Sequence, residues 1–246
     1  MIPLDDRGLL LGDGLFETML ALDGAIPLIE AHLDRMAGGC ATLGLPALDR
    51  DAARALCVEA APPAGRAAVR LTLTAGSGGR GLDRPDPVAP RLLATAAVSP
   101  PVQTPAALIV AAARRNEGSP ASRLKTLSYL DNVLARAEAW AAGADEAVML
   151  NNRGELACAG AANLFWIEGE RVFTPALSCG VLAGITRGRL LGMITVAEVA
   201  ADAARLDAAD AVFLTNSLIG VRPVSRLGQR TFAPHALVTR LARDVV

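Results

Sequence analysis

"SRLKTLSYLDNVLARAEAW", residues 122–140, decides how this chain is read, because it holds the only lysine in 246 residues. Lys and Arg together number 24, so the other 23 basic residues are arginines. One account is compositional: surface arginine and lysine exchange at little cost, and a bias toward Ala, Arg, Gly and Pro leaves one lysine standing. The other is chemical. A guanidinium stays charged and is a poor nucleophile, whereas a buried lysine amine can lose its proton and form a Schiff base with a carbonyl. Apolar spacing predicts a helix over 126–142, which sets Tyr129 one turn beyond Lys125. That tyrosine reads equally as a half-buried helix residue.

Working outward, 15–22 is expected to be a strand closed by a turn at Asp23-Gly24. Residues 30–44 have helical spacing and end at a glycine. A second helix is expected over 48–61, stopped by Pro62-Pro63, and "RAAVRLTLTAG" alternates as a strand. "PRLLATAAVS" is a further strand, and "SPPVQTP" at 99–105 reads as a linker. Beyond it come a strand at "ALIVAAARR", the helix already named, and strands at 146–150, 163–168, 171–174 and 211–215. Helices are expected from near Thr186 and over 234–244. The pattern implies an α/β (α+β) chain of two lobes: a small lobe over 1–98, a linker over 99–105 and a larger lobe over 106–246 carrying Lys125.

Composition narrows the function. Hydrophobic residues make up 52%, yet no uninterrupted apolar run is long enough to cross a bilayer. The first residues, "MIPLDDRG", carry Asp5, Asp6 and Arg7 where a signal peptide needs a basic start and an apolar stretch, so a cytoplasmic location is expected. A net charge of −1 with interspersed signs gives no reason to expect a nucleic-acid partner. Cys40, Cys57, Cys158 and Cys179 lack CxxC spacing and have only His32 and His235 for company, so no metal is expected and buried free thiols are.

A Schiff-base lysine implies a carbonyl cofactor, commonly pyridoxal phosphate, which also requires a phosphate cup and a partner for its ring nitrogen. "GSGGRG" at 76–81 matches a dinucleotide fingerprint, but "LDRPDP" follows and cannot open a helix, so it reads as a loop. "GVLAGITRGRLL" (180–191) is a better cup, since Gly184, Ile185 and Thr186 would present backbone N–H groups at a helix start. The same segment also reads as an ordinary turn with a threonine cap. Arg35 in "HLDRM" is either a fixed charge for a phosphate or an exposed helix arginine. "FLTNS" sets Thr215, Asn216 and Ser217 at a strand end, where hydroxyls reach a ligand or simply form a turn.

Six segments in order carry a resemblance: "DRGLLLGDGLFET" (6–18), "HLDRM" (32–36), "LKTLSYLDNVLARAEA" (124–139), "AANLFW" (161–166), "VLAGITR" (181–187) and "FLTNS" (213–217). Together they resemble the class IV aminotransferases, the fold-type IV pyridoxal-phosphate enzymes, with a two-lobe fold like D-amino-acid aminotransferase. The family includes branched-chain aminotransferase, D-amino-acid aminotransferase and aminodeoxychorismate lyase, and the lyase is the nearest in these segments. The resemblance implies pyridoxal 5'-phosphate bound to Lys125, with Arg35, Ile185, Thr186 and Ser217 on its phosphate and Gly184 opening the cup. It implies a small-molecule amine substrate, with Tyr129 and Asn163 near it. Arg80, Arg114, Arg115 and Arg222 are unranked candidates for holding substrate carboxylates. It further implies a homodimer with the cofactor between the lobes, and for the lyase a place in folate biosynthesis.

Two departures stand out. The family places a glutamate five residues before the Asn of "NLF", to keep the ring nitrogen protonated, and here that position is Cys158. Glu155, three residues earlier, is expected on the opposite face of a regular strand. A neutral thiol is a weak hydrogen-bonding partner, so ordinary transamination is expected to be impaired. A cofactor-binding protein with little catalysis is therefore an alternative, beside a D-amino-acid or branched-chain aminotransferase. The family also has a strand before "DRG" where only "MIPLD" stands, so either the start is misassigned or the small lobe lacks an edge strand.

Overall fold

The computed structural model describes residues 2–102 and 104–245. Gln103, in the expected linker, and the end residues 1 and 246 of the expected lobes lie outside them. The chain divides into two compact units: one runs to Pro100 and includes Leu124–Ser128, and the other comprises Pro101–Arg123 and the chain from Tyr129. The lysine therefore groups with the first unit, where the sequence reading assigned it to the larger lobe.

In the first unit, α1 (Arg7–Leu11) starts at Asp6, whose side chain accepts from the Gly8 N–H, and ends at Gly12 with φ 66°. Then follow β1 (Gly14–Leu22), α2 (Ile29–Leu43), α3 (Arg50–Ala60), β2 (Arg66–Thr74) and β3 (Arg91–Val98). The strands form an antiparallel sheet in the order β1-β2-β3. Alternation sends Leu15, Met19 and Ala21 of β1 and Val69, Leu71 and Leu73 of β2 to one face, where Leu33, Met36 and Cys40 of α2 and Cys57 of α3 complete a core. The turn after β1 uses Asp23 and Gly24, at φ 48° and 81°, as expected. "GSGGRG" forms no helix.

The second unit holds β4 (Ala106–Arg115), α4 (Pro120–Arg123), α5 (Leu130–Ala141), β5 (Glu146–Asn151), β6 (Leu156–Ala159), β7 (Asn163–Glu168), β8 (Arg171–Pro175), α6 (Ile185–Met193), β9 (Val196–Val199), α7 (Arg205–Ala208), β10 (Ala211–Asn216), β11 (Gly220–Leu227), β12 (Arg230–Thr231) and α8 (Ala236–Asp244). Its sheet runs β6-β5-β4-β11-β10-β7-β8-β9, with β12 beside β11. Both faces are covered: Leu164, Trp166, Val212 and Leu214 lie in one cluster, and Phe165, Ile167, Phe213, Leu190 and Leu241 in another. Burial on both faces explains why β5 and β7 read as near-continuous apolar runs.

The expected helix over 126–142 is the main correction. α5 begins only at Leu130, with Tyr129 as its N-cap. The preceding residues have another partner: Leu15 and Thr126 form an antiparallel bridge, Phe16 N–H donates to Lys125 O at 2.8 Å, and Leu127 N–H donates to Gly14 O at 3.0 Å. A backbone bonded to β1 in this way cannot also make helical bonds. Tyr129 is thus not one helical turn beyond Lys125.

Candidate active site

β1 builds the lysine's surroundings. The Leu15–Thr126 bridge sets Lys125 opposite Phe16, and its Nζ lies 4.2 Å from the centre of the Phe16 ring. Arg70, on β2, places its guanidinium carbon 3.8 Å from the same centre. Arg70 pairs with Thr18, the next residue on that face of β1, and is therefore a diagonal neighbour of Phe16. Two cations thus share one aromatic ring, and each is held by its electron-rich face. Sequence reading missed both Phe16 and Arg70, since the Leu15–Thr126 bridge brings the first to the lysine and the β1–β2 register the second to the same ring.

The next residue of β1, Glu17, points to the helix-covered face and is 1% exposed. Arg35 Nε donates to its Oε1 at 2.8 Å and Arg35 Nη2 to its Oε2 at 2.5 Å. His32 Nδ1 lies 2.6 Å from Oε2. His32 and Arg35 are three apart on α2, hence on one helix face. Burial pushes the Glu17 carboxyl up, but the hydrogen bonds from Arg35 and His32 outweigh it and hold it below its ordinary value. Arg35 is therefore not the exposed helix arginine of the bland reading.

In the second unit, α6 starts at Gly184, which makes no side-chain cap. The threonine cap of the alternative reading is absent: Thr186 lies inside the helix and is buried. Asn163, opening β7, donates from Nδ2 to Leu182 O at 2.9 Å, and its Oδ1 occupies the space a Cβ on Gly184 would need. Glycine at 184 is thus required by close approach, its φ of −69° being open to any residue. Thr215 pairs directly with Asn163 across β10 and β7, so both side chains stand on the same face. Thr215 Oγ1 is buried and has no hydrogen-bond partner. Ser217 follows just past the end of β10. A helix start with an uncapped first turn and an unpaired hydroxyl nearby suits an anion.

A family model for class IV amino-transferases matches residues 14–227. The chain belongs to the class IV aminotransferases. It is 31% identical over 235 residues to an aminodeoxychorismate lyase of Vibrio harveyi, covering 91% of this chain and 86% of that one. It is 30% identical over 255 residues to a Methanocaldococcus jannaschii protein assigned as a branched-chain-amino-acid aminotransferase, covering 93% and 83%. The crystal structure of a Pseudomonas aeruginosa 4-amino-4-deoxychorismate lyase superposes with a TM-score of 0.90 at 32% identity, covering 99% and 94%. Lyase and aminotransferase relatives thus stand at nearly equal identity, and the fold is that of the fold-type IV enzymes.

Class IV aminotransferases are pyridoxal-phosphate enzymes acting on small amines or amino acids. Taken unit by unit, the chain has groups of the kind that cofactor needs: an amine, Lys125, in the first unit, and in the second an open α6 start with an unpaired Thr215 hydroxyl that suits a phosphate. The position at which the resemblance places the ring-nitrogen glutamate is different. Cys158 lies on β6 in a cluster rich in alanine, with Ala111, Ala135, Ala139, Met149 and Cys179. Burial pushes its thiol up, against the pull of the Arg115 charge and with the push of Glu146, so it is a neutral thiol at neutral pH.

Glu146 and Glu155 are both engaged in other bonds. Glu146 braces the turn after Cys158, accepting from Arg136 Nη1 at 2.7 Å and the Ala161 N–H at 3.2 Å. The expected face of Glu155 needs correction. β6 is bulged: Cys158 pairs with Met149 but Leu156 with Leu150, so Ala157 is the extra residue. Ala157 and Cys158 consequently enter the same cluster, and an offset of three carries Glu155 to the Cys158 side. Its Oε2 is nonetheless taken by Asn151 at 2.6 Å and Arg153 Nη2 at 2.7 Å.

The structure also sorts the arginine candidates. Arg115 is buried and tied to Asn132 Oδ1 at 3.0 Å and to the Ser122 carbonyl, while Asn132 Nδ2 reaches Gly160 O at 2.7 Å. Arg222 is bonded to Thr104 O at 2.9 Å and Asp145 at 3.1 Å. Arg114 is exposed on β4. Arg80 is exposed in a loop pinned from Arg7, which donates to the Leu82 and Asp83 carbonyls at 2.8 Å each.

Proposed function

We propose that this class IV enzyme is a lyase of the aminodeoxychorismate type, converting 4-amino-4-deoxychorismate to 4-aminobenzoate and pyruvate. The observation that carries the choice is the buried thiol of Cys158, where the resemblance places a glutamate in lyases and aminotransferases alike, because of the two reactions the lyase depends less on that contact. Bound pyridoxal phosphate supplies an electrophilic carbonyl and an electron-withdrawing ring. Transamination depends on that ring as an electron sink, and a thiol partner weakens it. The lyase reaction has a second driving force, because the six-membered ring of the substrate becomes aromatic as pyruvate leaves.

In this reading Lys125 holds the cofactor through its amine and then takes the proton from the amine-bearing carbon of the substrate. Phe16 and Arg70 flank that amine, and Arg70 offers a guanidinium for a substrate carboxylate. Ile185, Thr186, Ser217 and Arg35 contact the phosphate, Gly184 lets the chain approach it, and Asn163 fixes the loop before α6. Tyr129 and Arg80 remain substrate candidates, and Cys158 faces the ring nitrogen. The enzyme acts in folate biosynthesis, in the cytoplasm, as a homodimer. The dimer is supported by an apolar stripe on α5, where Leu130, Val133, Leu134 and Trp140 are 53–84% exposed. Among the described residues no helix is long and apolar enough to cross a membrane.

The test is a paired assay of cofactor-loaded protein. Formation of 4-aminobenzoate and pyruvate, abolished by Lys125→Ala, is expected. Turnover of branched-chain or D-amino acids with 2-oxoglutarate, without 4-aminobenzoate, would show an aminotransferase. The same thiol favours a second reading, a protein that binds the cofactor and turns over neither substrate set.

A further inference from the structure

We propose that Glu17 is the positioning residue that aims Arg35 at the cofactor phosphate, an inference that rests on the reading of Arg35 given above. Phe16 and Glu17 are consecutive on β1, about 3.8 Å apart in backbone. Each engages one of the two cations assigned to the cofactor in this unit. Lys125 sits over the Phe16 ring, and Arg35 is gripped by the Glu17 carboxylate, whose side chain leaves the strand on the other side. One strand segment thus sets the placement of both groups.

The grip on Arg35 is specific in geometry. Glu17 uses both oxygens and takes the Nε and Nη2 edge of the guanidinium, so any further anion must be met by another edge. His32 bonds the same Oε2 and stops the carboxylate from turning. A carboxylate beside an arginine cancels part of its charge, so on charge alone it weakens phosphate binding. What it supplies is direction: a long, flexible side chain is held in one rotamer before the ligand arrives. All three groups are at least four-fifths buried at the side chain, so the bonds are not loosened by water.

Cofactor binding read against a phosphate-free probe separates positioning from plain scaffolding. Dissociation constants are measured spectroscopically for pyridoxal phosphate and for pyridoxal, with wild type, Glu17→Gln and Arg35→Ala. Positioning predicts that Glu17→Gln weakens pyridoxal phosphate about tenfold, in the range of outer-shell losses at other sites. Pyridoxal should be nearly unaffected, and Arg35→Ala with Glu17→Gln should be less than additive. A lower melting temperature with the pyridoxal-phosphate to pyridoxal ratio unchanged would make the carboxylate merely structural and overturn the inference. Should Glu17→Gln not fold, Glu17→Asp, which keeps the charge but shortens the reach, is read by the same ratio. If wild type binds neither probe, the cofactor reading and this inference fall together; an unchanged ratio in a protein that binds defeats the inference alone.

Discussion

Cys158 is the residue on which the proposed chemistry turns, and its surroundings make its replacement predictable in two respects. Alanines 111, 135 and 139 and Met149 pack its cluster, so Glu at this position adds volume and charge to a site shaped for neither. Cys158→Glu should cost about 1–3 kcal/mol of stability in cofactor-free protein, through overpacking and an unpaired buried charge that Arg115 only partly offsets. With cofactor bound, the same carboxylate gains a ring-nitrogen partner. The transamination half-reaction with amino acids should then rise roughly ten- to a hundredfold, the worth of a charge-assisted contact of about 1.5–3 kcal/mol. Melting curves with and without cofactor, and single-turnover spectra with amino acid, check the two halves. An unchanged half-reaction would mean that residue 158 does not face the ring nitrogen, and lyase activity present only in the variant would contradict the proposed function. The departure itself was legible in the sequence once the family resemblance fixed where a glutamate is expected, five residues before Asn163. The thiol's protonation was not, because it depends on which helices and strands close over β6.

Among the elements, α6 shows how much a helix start owes to residues far away in sequence. Its first turn is not capped by its own residues but is set by Asn163 of β7, which bonds the Leu182 carbonyl and fills the space beside Gly184. Gly184→Ala should therefore push Asn163 aside and shift the loop, costing about 1–3 kcal/mol in stability. Affinity for pyridoxal phosphate should fall more than affinity for pyridoxal, read by titration and thermal melting; equal losses for both ligands would remove α6 from the phosphate site. Strands and helices whose apolar period matched their surroundings were legible in the sequence, as with β1, α2 and β10. The start of α5 was not. Leu127 and Leu130 have helical spacing, but Thr126 and its neighbours are claimed by β1, a partner more than a hundred residues earlier. The bulge at Ala157 escaped for a similar reason, since a four-residue strand carries too little pattern to reveal its own phase.

Over the whole molecule, the arginine bias converts a compositional oddity into a measurement. A chain with many lysines would form scattered Schiff bases with pyridoxal phosphate, and borohydride reduction would report reactivity rather than a site. Here 23 arginines cannot react in this way, and the only side-chain amine is Lys125. That amine is also the one held by β1 against Phe16, in the first compact unit, although the pattern of elements grouped it with the larger lobe. Fold and count therefore converge on one atom. Reduction of cofactor-loaded protein should add one pyridoxyl group per chain at Lys125, and peptide mapping separates it from the α-amino group, which titrates near pH 7.7–8.0. Substrate amine added before reduction should protect the lysine, because it competes for the same carbonyl. Labelling confined to the α-amino group, or Lys125 labelling indifferent to substrate, would show that the lone lysine is a remnant of composition and that the cofactor is held elsewhere.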